Sequence, residues 1–235
     1  MLVDWEIHAV AYRGQDARMT VPGIVARCAE LGLTHIGILD HLAPERGWPA
    51  DVLRKLFAEL AAFRVPACIR VCRAAEVDIR EQGVLPELPR LRKELGLDYV
   101  VGSVHEGPRE GASDAEYMAR QFELMMGALR EPCPIDILGH PWGGHSLKEV
   151  PKEMLDAVVR AAAKVGVGIE VTPRFRAERP DFQKLVTCSL AEGARLAPVS
   201  DAHLYEQLGD TVELQALLKE LGAQETNLWF PGDLS

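Results

Sequence analysis

The chain has 235 residues, 48% of them apolar, and a formal net charge of −9; that length suits one large domain with a sizeable core, and the acidic balance disfavours nucleic acid or an anionic membrane as a partner. Five scattered cysteines (Cys28, Cys68, Cys72, Cys133 and Cys188) form no CxxC pair, which argues against a disulfide framework and against a thiolate zinc site. The first residues are too acidic and too short of apolar side chains for a signal peptide, and no run approaches the length of a membrane span, so a cytoplasmic protein is expected.

The stretch LVDWEIH (2–8) reads as a strand, followed by an amphipathic segment from about Val21. THIGIL (34–39) is the second strand, with a helix from about Asp51. CIRVCRAAEVDI (68–79) and LDYVVGSV (97–104) are the third and fourth, with helices from about Pro86 and Asp114, the latter capped at Ser113-Asp114. IDILGH (135–140), VGIEVT (167–172) and ARLAPVS (194–200) follow, with helices from about Pro151, Asp181 and Thr211. Several helices run into the next strand through glycine, as in ELGLTHIGIL, ELGLDYVV and KVGVGIEV, the expected helix-to-strand connection. Strand then helix, about seven times, implies a parallel sheet, either an open doubly wound sheet or a closed barrel.

The ionisable residues separate these two. His8 ends the first strand, Asp40-His41 the second, Glu76 lies near the end of the third, and His105 and His140 end the fourth and fifth. Glu170 is in the sixth, and Asp201 with His203 follows the seventh. In a parallel barrel all the C-terminal strand ends meet at one mouth, whereas an open sheet spreads them along a line, so the pattern favours a barrel. A lone histidine after a strand is usually structural, but five of the seven histidines occupy strand ends. His35 begins its strand and reads as structural; His145, after Gly143-Gly144, either reaches the site or faces water. Glu6 and His8 are two apart and so share one strand face. Neutral imidazoles mixed with carboxylates suit zinc, manganese or iron better than calcium or magnesium, and their number points to at least two ions.

Glu6-Ile7-His8, Leu39-Asp40-His41, Ala75-Glu76-Val77, Gly102-Ser103-Val104-His105, Gly139-His140-Pro141 and Ser200-Asp201-Ala202-His203, in this order, resemble the motifs of the PHP (polymerase and histidinol phosphatase) superfamily. The resemblance runs from about residue 4 to 209, and DYVVGSVH, DILGHP and VSDAH are similar to the histidinol-phosphatase branch. It implies a distorted TIM-like (β/α)7 barrel over 1–235, with a two- or three-metal centre that hydrolyses phosphoesters. It implies a first metal on Glu6, His8, Glu76 and Asp201, and a second on Glu76, His105 and His140 with Glu76 as the bridge. A third would rest on His41 and His203 plus a residue from the loop after the first strand. Asp40 would orient a neighbouring ligand.

Two departures from the family pattern bear on that expectation. The usual His-x-His opening is here Glu6-x-His8, which adds negative charge and shifts the expected metal toward manganese or iron. Where relatives carry an Asp or His, this chain has Tyr12-Arg13-Gly14; arginine is no ligand, and Asp16 replaces it only if the loop is rebuilt. The third site is therefore expected to be weak or empty, with Arg13 either gripping a substrate phosphate as a fork or pointing to solvent. Arg174 and Arg176 are further phosphate candidates or simply parts of a solvated loop, and Thr172 stands where the family often has Asn. The leading expectation is a phosphatase in which two metals lower the pKa of a bridging water, Asp201 takes its proton, and His203 or His41 protonates the leaving group. Another metallohydrolase acting on C–N or ester bonds, or a non-catalytic metal-binding domain, are the alternatives. The expected partner is a small phosphorylated molecule.

Overall fold

The computed structural model of the chain describes residues 1–107, 111–143, 147, 149–173 and 179–232, without the side chains of 179 and 180. Seven strands, Val3–His8 (β1), His35–Leu39 (β2), Arg70–Asp78 (β3), Tyr99–Ser103 (β4), Ile137–Leu138 (β5), Gly168–Val171 (β6) and Leu196–Pro198 (β7), lie side by side in chain order. Every neighbouring pair is parallel. Helices Val21–Glu30 (α1), Ala50–Ala62 (α2), Leu88–Leu95 (α3), Asp114–Ala128 (α4), Lys152–Val165 (α5), Arg179–Glu192 (α6) and Asp210–Glu220 (α7) separate or follow the strands. The result is a nearly closed (β/α)7 barrel, as the strand-end pattern predicts. No helix among the described residues is long and apolar enough to cross a membrane.

Local signals set the helix limits. Thr20 Oγ1 accepts the Gly23 N–H at the start of α1, and Ser113 with Glu116 forms a reciprocal capping box on α4. Helices α3 and α5 stop where Gly96 and Gly166 turn left-handed, at φ 62° and 75°. On α5 the buried residues Leu155, Val158, Val159 and Ala162 recur at helical spacing and pack on the outside of the sheet.

The barrel is filled from below by large side chains set against small ones. Trp5, Tyr99 and Trp229 are buried and meet edge to face, with ring centroids 5.2–6.0 Å apart. Gly168 on β6 makes room for Trp229, whose Cγ lies 2.7 Å from where a Cβ would stand. Gly37 on β2 likewise leaves space for the Tyr99 hydroxyl, which donates to the Trp5 carbonyl. Trp229 is anchored by its own N–H to the Leu196 carbonyl, 2.8 Å. His35 sits at this lower end, 6.2 Å from Trp5, away from the other histidines, in keeping with a structural role.

The seam between β7 and β1 is closed by side chains and single bridges more than by a ladder. His8 N–H donates to the Ala202 carbonyl at 3.0 Å, and Gln215 of α7 hydrogen-bonds both backbone groups of Val3. Strand β1 also carries a bulge: Asp4 pairs with Ile36 and Ile7 with Ile38, so β1 has one residue more than β2 over that stretch. Trp5 and Glu6 then both escape the outer apolar layer, Ile7 joins it, and His8 turns inward again. Asp4 Oδ1 fastens the bulge, accepting the N–H of Glu6 at 3.3 Å and of Ser200 at 2.9 Å.

Candidate metal centre

The C-terminal strand ends bring Glu6, His8, His41, Glu76, His105, His140, Asp201 and His203 to one mouth, around a cavity of about 310 Å³. Glu76, at the centre and 2% exposed, has His41 Nδ1 at 2.8 Å, His105 Nε2 at 3.1 Å, His140 Nε2 at 3.4 Å and His8 Nε2 at 3.5 Å. His8 Nε2 lies 3.2 Å from Asp201 Oδ1 and 3.5 Å from Glu6 Oε1. Yet both Glu6 oxygens, both His8 nitrogens, His41 Nδ1 and Glu76 Oε1 are buried without an aligned hydrogen bond. Donor atoms that converge closely but do not bond to one another are arranged as ligands sharing a cation. Their mixed imidazole and carboxylate chemistry fits a borderline divalent ion.

Among the described residues three groups have the reach for such an ion: Glu6, His8 and Glu76; His41, Glu76 and His105; and His8, His41 and His203. His41 thus belongs with Glu76 and His105 as well as with His203. Its ring also stacks on Trp48, 4.2 Å between centroids, at the cavity wall. His203 stacks on His8 at 4.0 Å.

The protein's own charges show what the site lacks. Burial, and then the charge of Glu76, pushes the Glu6 carboxyl up to about 8. Burial works against His8, but the carboxylates of Asp201, Asp40 and Glu6 close to its nitrogens outweigh it and hold the imidazole well above its ordinary range. Burial also opposes ionisation of Glu76, and the histidines around it reverse that and hold it well below the carboxylate range. Burial and the neighbouring His8 bring His203 down to about 4. A cluster this acidic calls for positive charge, which a divalent cation supplies without proton uptake.

Carboxylates stand behind the imidazoles. Asp78 Oδ1 bonds His105 Nδ1 at 2.9 Å, which turns Nε2 toward Glu76. Burial raises the Asp78 carboxyl, but His105 and Arg80 outweigh it and hold it at about 2. Asp40 accepts the His41 N–H at 2.8 Å and lies 3.6 Å from His8 Nδ1. Its other oxygen accepts Arg13 Nε at 2.8 Å. Arg13 is therefore turned inward, 12% exposed, with its guanidinium 5.9 Å from the Trp48 ring. Asp16 is committed elsewhere, to Arg18 and to the Tyr205 N–H. His145, Arg174 and Arg176 lie outside the described residues.

Asp78, Glu170 and Asp4 carry no role in the sequence reading. The signal for Asp78 was present: it stands two after Glu76, the same spacing that joins Glu6 to His8. Glu170 accepts the His140 N–H at 2.6 Å, and burial, then the charges of Glu6 and Asp201, push its carboxyl well up.

A family model described as the PHP domain matches residues 4–174. No curated protein matches the chain in sequence. Among solved structures, the fold is similar to that of histidinol phosphate phosphatase from Lactococcus lactis, solved with zinc, L-histidinol and phosphate. That match has a TM-score of 0.66 at 14% identity, over 95% of this chain and 94% of that one. It is also similar to N-isopropylammelide isopropylaminohydrolase from Burkholderia multivorans, TM-score 0.51 and 12% identity over 97% and 69%. A third similar fold is ochratoxinase from A. niger, TM-score 0.52 and 14% identity over 96% and 67%.

Proposed function

The chain belongs to the PHP domain family, and from that premise we propose that it is a metal-dependent phosphoesterase acting as a single domain on a small phosphate monoester. The observation that carries this reading is the Glu76 carboxylate approached by four imidazoles beside two further buried carboxylates, Glu6 and Asp201. Glu6, His8, Glu76 and Asp201 would hold one divalent ion, and Glu76, His105 and His140 would hold a second. Zinc, manganese and iron all suit the donors, and the carboxylate at Glu6 favours manganese or iron. The third site is weak or empty, because Arg13 is paired with Asp40 where relatives place a ligand and His41 lies against Glu76.

Bound ions supply Lewis acidity and a water of lowered pKa. Asp201 would accept the proton of the attacking water, and His41, facing the cavity, would protonate the leaving oxygen; His203 also faces the cavity but, brought down to about 4, is the weaker candidate for that role. Arg13 meets the phosphate with its terminal nitrogens while Asp40 holds its Nε; Arg174, Arg176 and His145, outside the described residues, are further candidates by sequence. Excluding bulk water around these groups strengthens each of their charges on phosphorus. The cavity of about 310 Å³ admits a small leaving group, and histidinol phosphate, related to what the Lactococcus protein binds, is one candidate.

The test is a panel of phosphomonoesters and of amides and esters, with metal analysis of protein purified without added metal. Turnover of phosphomonoesters inhibited by inorganic phosphate supports the reading. Turnover of amides or esters alone moves the chain to the other hydrolase class, and bound metal without any turnover makes it a non-catalytic domain. Zinc alone at full occupancy counts against the preference for manganese or iron.

A further inference from the structure

His140 is held in an unfavourable backbone. Strand β5 is only Ile137–Leu138, and the chain then leaves it through Gly139 into His140 at φ 21° and Trp142 at φ 56°. Positive φ at a residue with a side chain is unfavourable and persists only where neighbours enforce it. Gly143 leaves room for this turn, since a Cβ there would stand 2.9 Å from His140 Nδ1. The turn nevertheless aims His140 Nε2 at Glu76, 3.4 Å away, with the ring 5.1 Å from His105.

One group reaches the strained backbone from the neighbouring strand. Glu170, on β6, is fully buried, and its Oε2 accepts the His140 N–H at 2.6 Å. Its other oxygen has no partner, it takes no part in the cavity wall, and it falls in none of the three candidate ligand groups. A polar carboxyl group is costly to bury, so its one bond should account for its place. Beyond Leu138, which pairs with Ile169, no backbone acceptor on β6 is hydrogen-bonded to His140, and the Glu170 side chain fills that position.

We infer that Glu170 is a positioning residue for the metal centre: its carboxylate oxygen clamps the left-handed His140 turn and so sets the imidazole against Glu76. The inference rests on the proposed ion at Glu76, His105 and His140, and Glu170 acts on that ion only through His140.

The experiment compares wild type, Glu170→Leu and Glu170→Gln, each stripped with a chelator and titrated with zinc chloride by calorimetry. The His140 amide proton is followed by NMR on the same metal-free proteins. Wild type is expected to bind at least two equivalents, with the His140 amide shifted downfield by its short bond to an acid. Glu170→Leu is expected to lose that shift and to weaken one zinc equivalent about 10- to 100-fold, the usual effect of removing a group that orients a ligand. Glutamine keeps the acceptor, so Glu170→Gln should hold both equivalents to within about threefold. Two equivalents at unchanged affinity in Glu170→Leu overturn the inference. So does loss of one equivalent in Glu170→Gln, which decides the matter even if the leucine variant does not fold. Wild type that takes up no zinc removes the metal reading instead, while the His140 amide shift still reports the clamp.

Discussion

Behind each of His8 and His105 stands an aspartate, and those two aspartates differ in what lies behind them. Asp78 is shared between His105 and the arginines Arg80 and Arg46, at 2.8 and 3.3 Å. Replacing Asp78 with Ala frees His105 to rotate and should weaken metal binding about 10- to 100-fold, read by titrating stripped protein with zinc; unchanged affinity would mean that Glu76 alone orients the ring. Asp40 is backed by Arg13 alone among these cations. Arg13→Ala should raise KM for a phosphomonoester roughly 10-fold, the worth of a hydrogen bond to a charged group, with metal content intact. A fall in metal content at unchanged KM would instead assign Arg13 to holding Asp40 against His8. The convergence of the eight residues proposed as metal ligands was legible as strand-end positions, because a parallel barrel gathers those ends by construction. The direction of Arg13 was not, since it depends on a contact with Asp40 twenty-seven residues on. The role of Glu170, itself visible among the strand-borne acids, was equally hidden, because its partner is the backbone N–H of His140 just beyond β5, a group that no side-chain pattern displays.

At the scale of the element, the helices were the more legible part, because their ends are written in local chemistry. Ser113 opens α4 with both arms of its capping box in place, on Glu116 N–H and from the Glu116 carboxylate. Ser113→Ala should therefore cost about 1 kcal/mol in chemical denaturation, leaving metal affinity unaffected because the cap is exposed and lies at the far end of a loop from His105. The strands were placed correctly but drawn too long, most of all at two of them: ARLAPVS yields only Leu196–Pro198, and IDILGH only Ile137–Leu138, since the positive φ at His140 takes the chain out of the ladder. The bulge in β1 escaped because simple alternation already puts Glu6 and His8 on one face. What alternation misses is that Trp5 also points inward, and only the register against β2 reveals the extra residue.

For the whole molecule, the upper part of the barrel is built from charges that repel and the lower part from aromatics that pack. Metal removal should show the difference. Chelation should lower Tm, on the order of 10 °C for an ion present at about a thousand times its Kd, and adding zinc or manganese back should restore it. A melting point indifferent to chelator would mean that the cluster tolerates its own charge. The choice of barrel over open sheet was legible only through function-bearing residues, as periodicity serves both; closure itself depends on contacts such as Ser200 N–H to Asp4, which join positions 196 residues apart.

That seam has a consequence for the order of events during synthesis. Asp201 and the Ala202 carbonyl that His8 N–H meets are made almost two hundred residues after Glu6 and His8. At ribosomal rates of about 5–20 residues per second, roughly 10–40 s separate them. Throughout that interval the buried acids of β1 and β3 lack their partner from beyond β7. Loading of the proposed metal centre is thus a late step, and a ribosome stalled before residue 201 displays a chain with most of the proposed ligands and an incomplete centre.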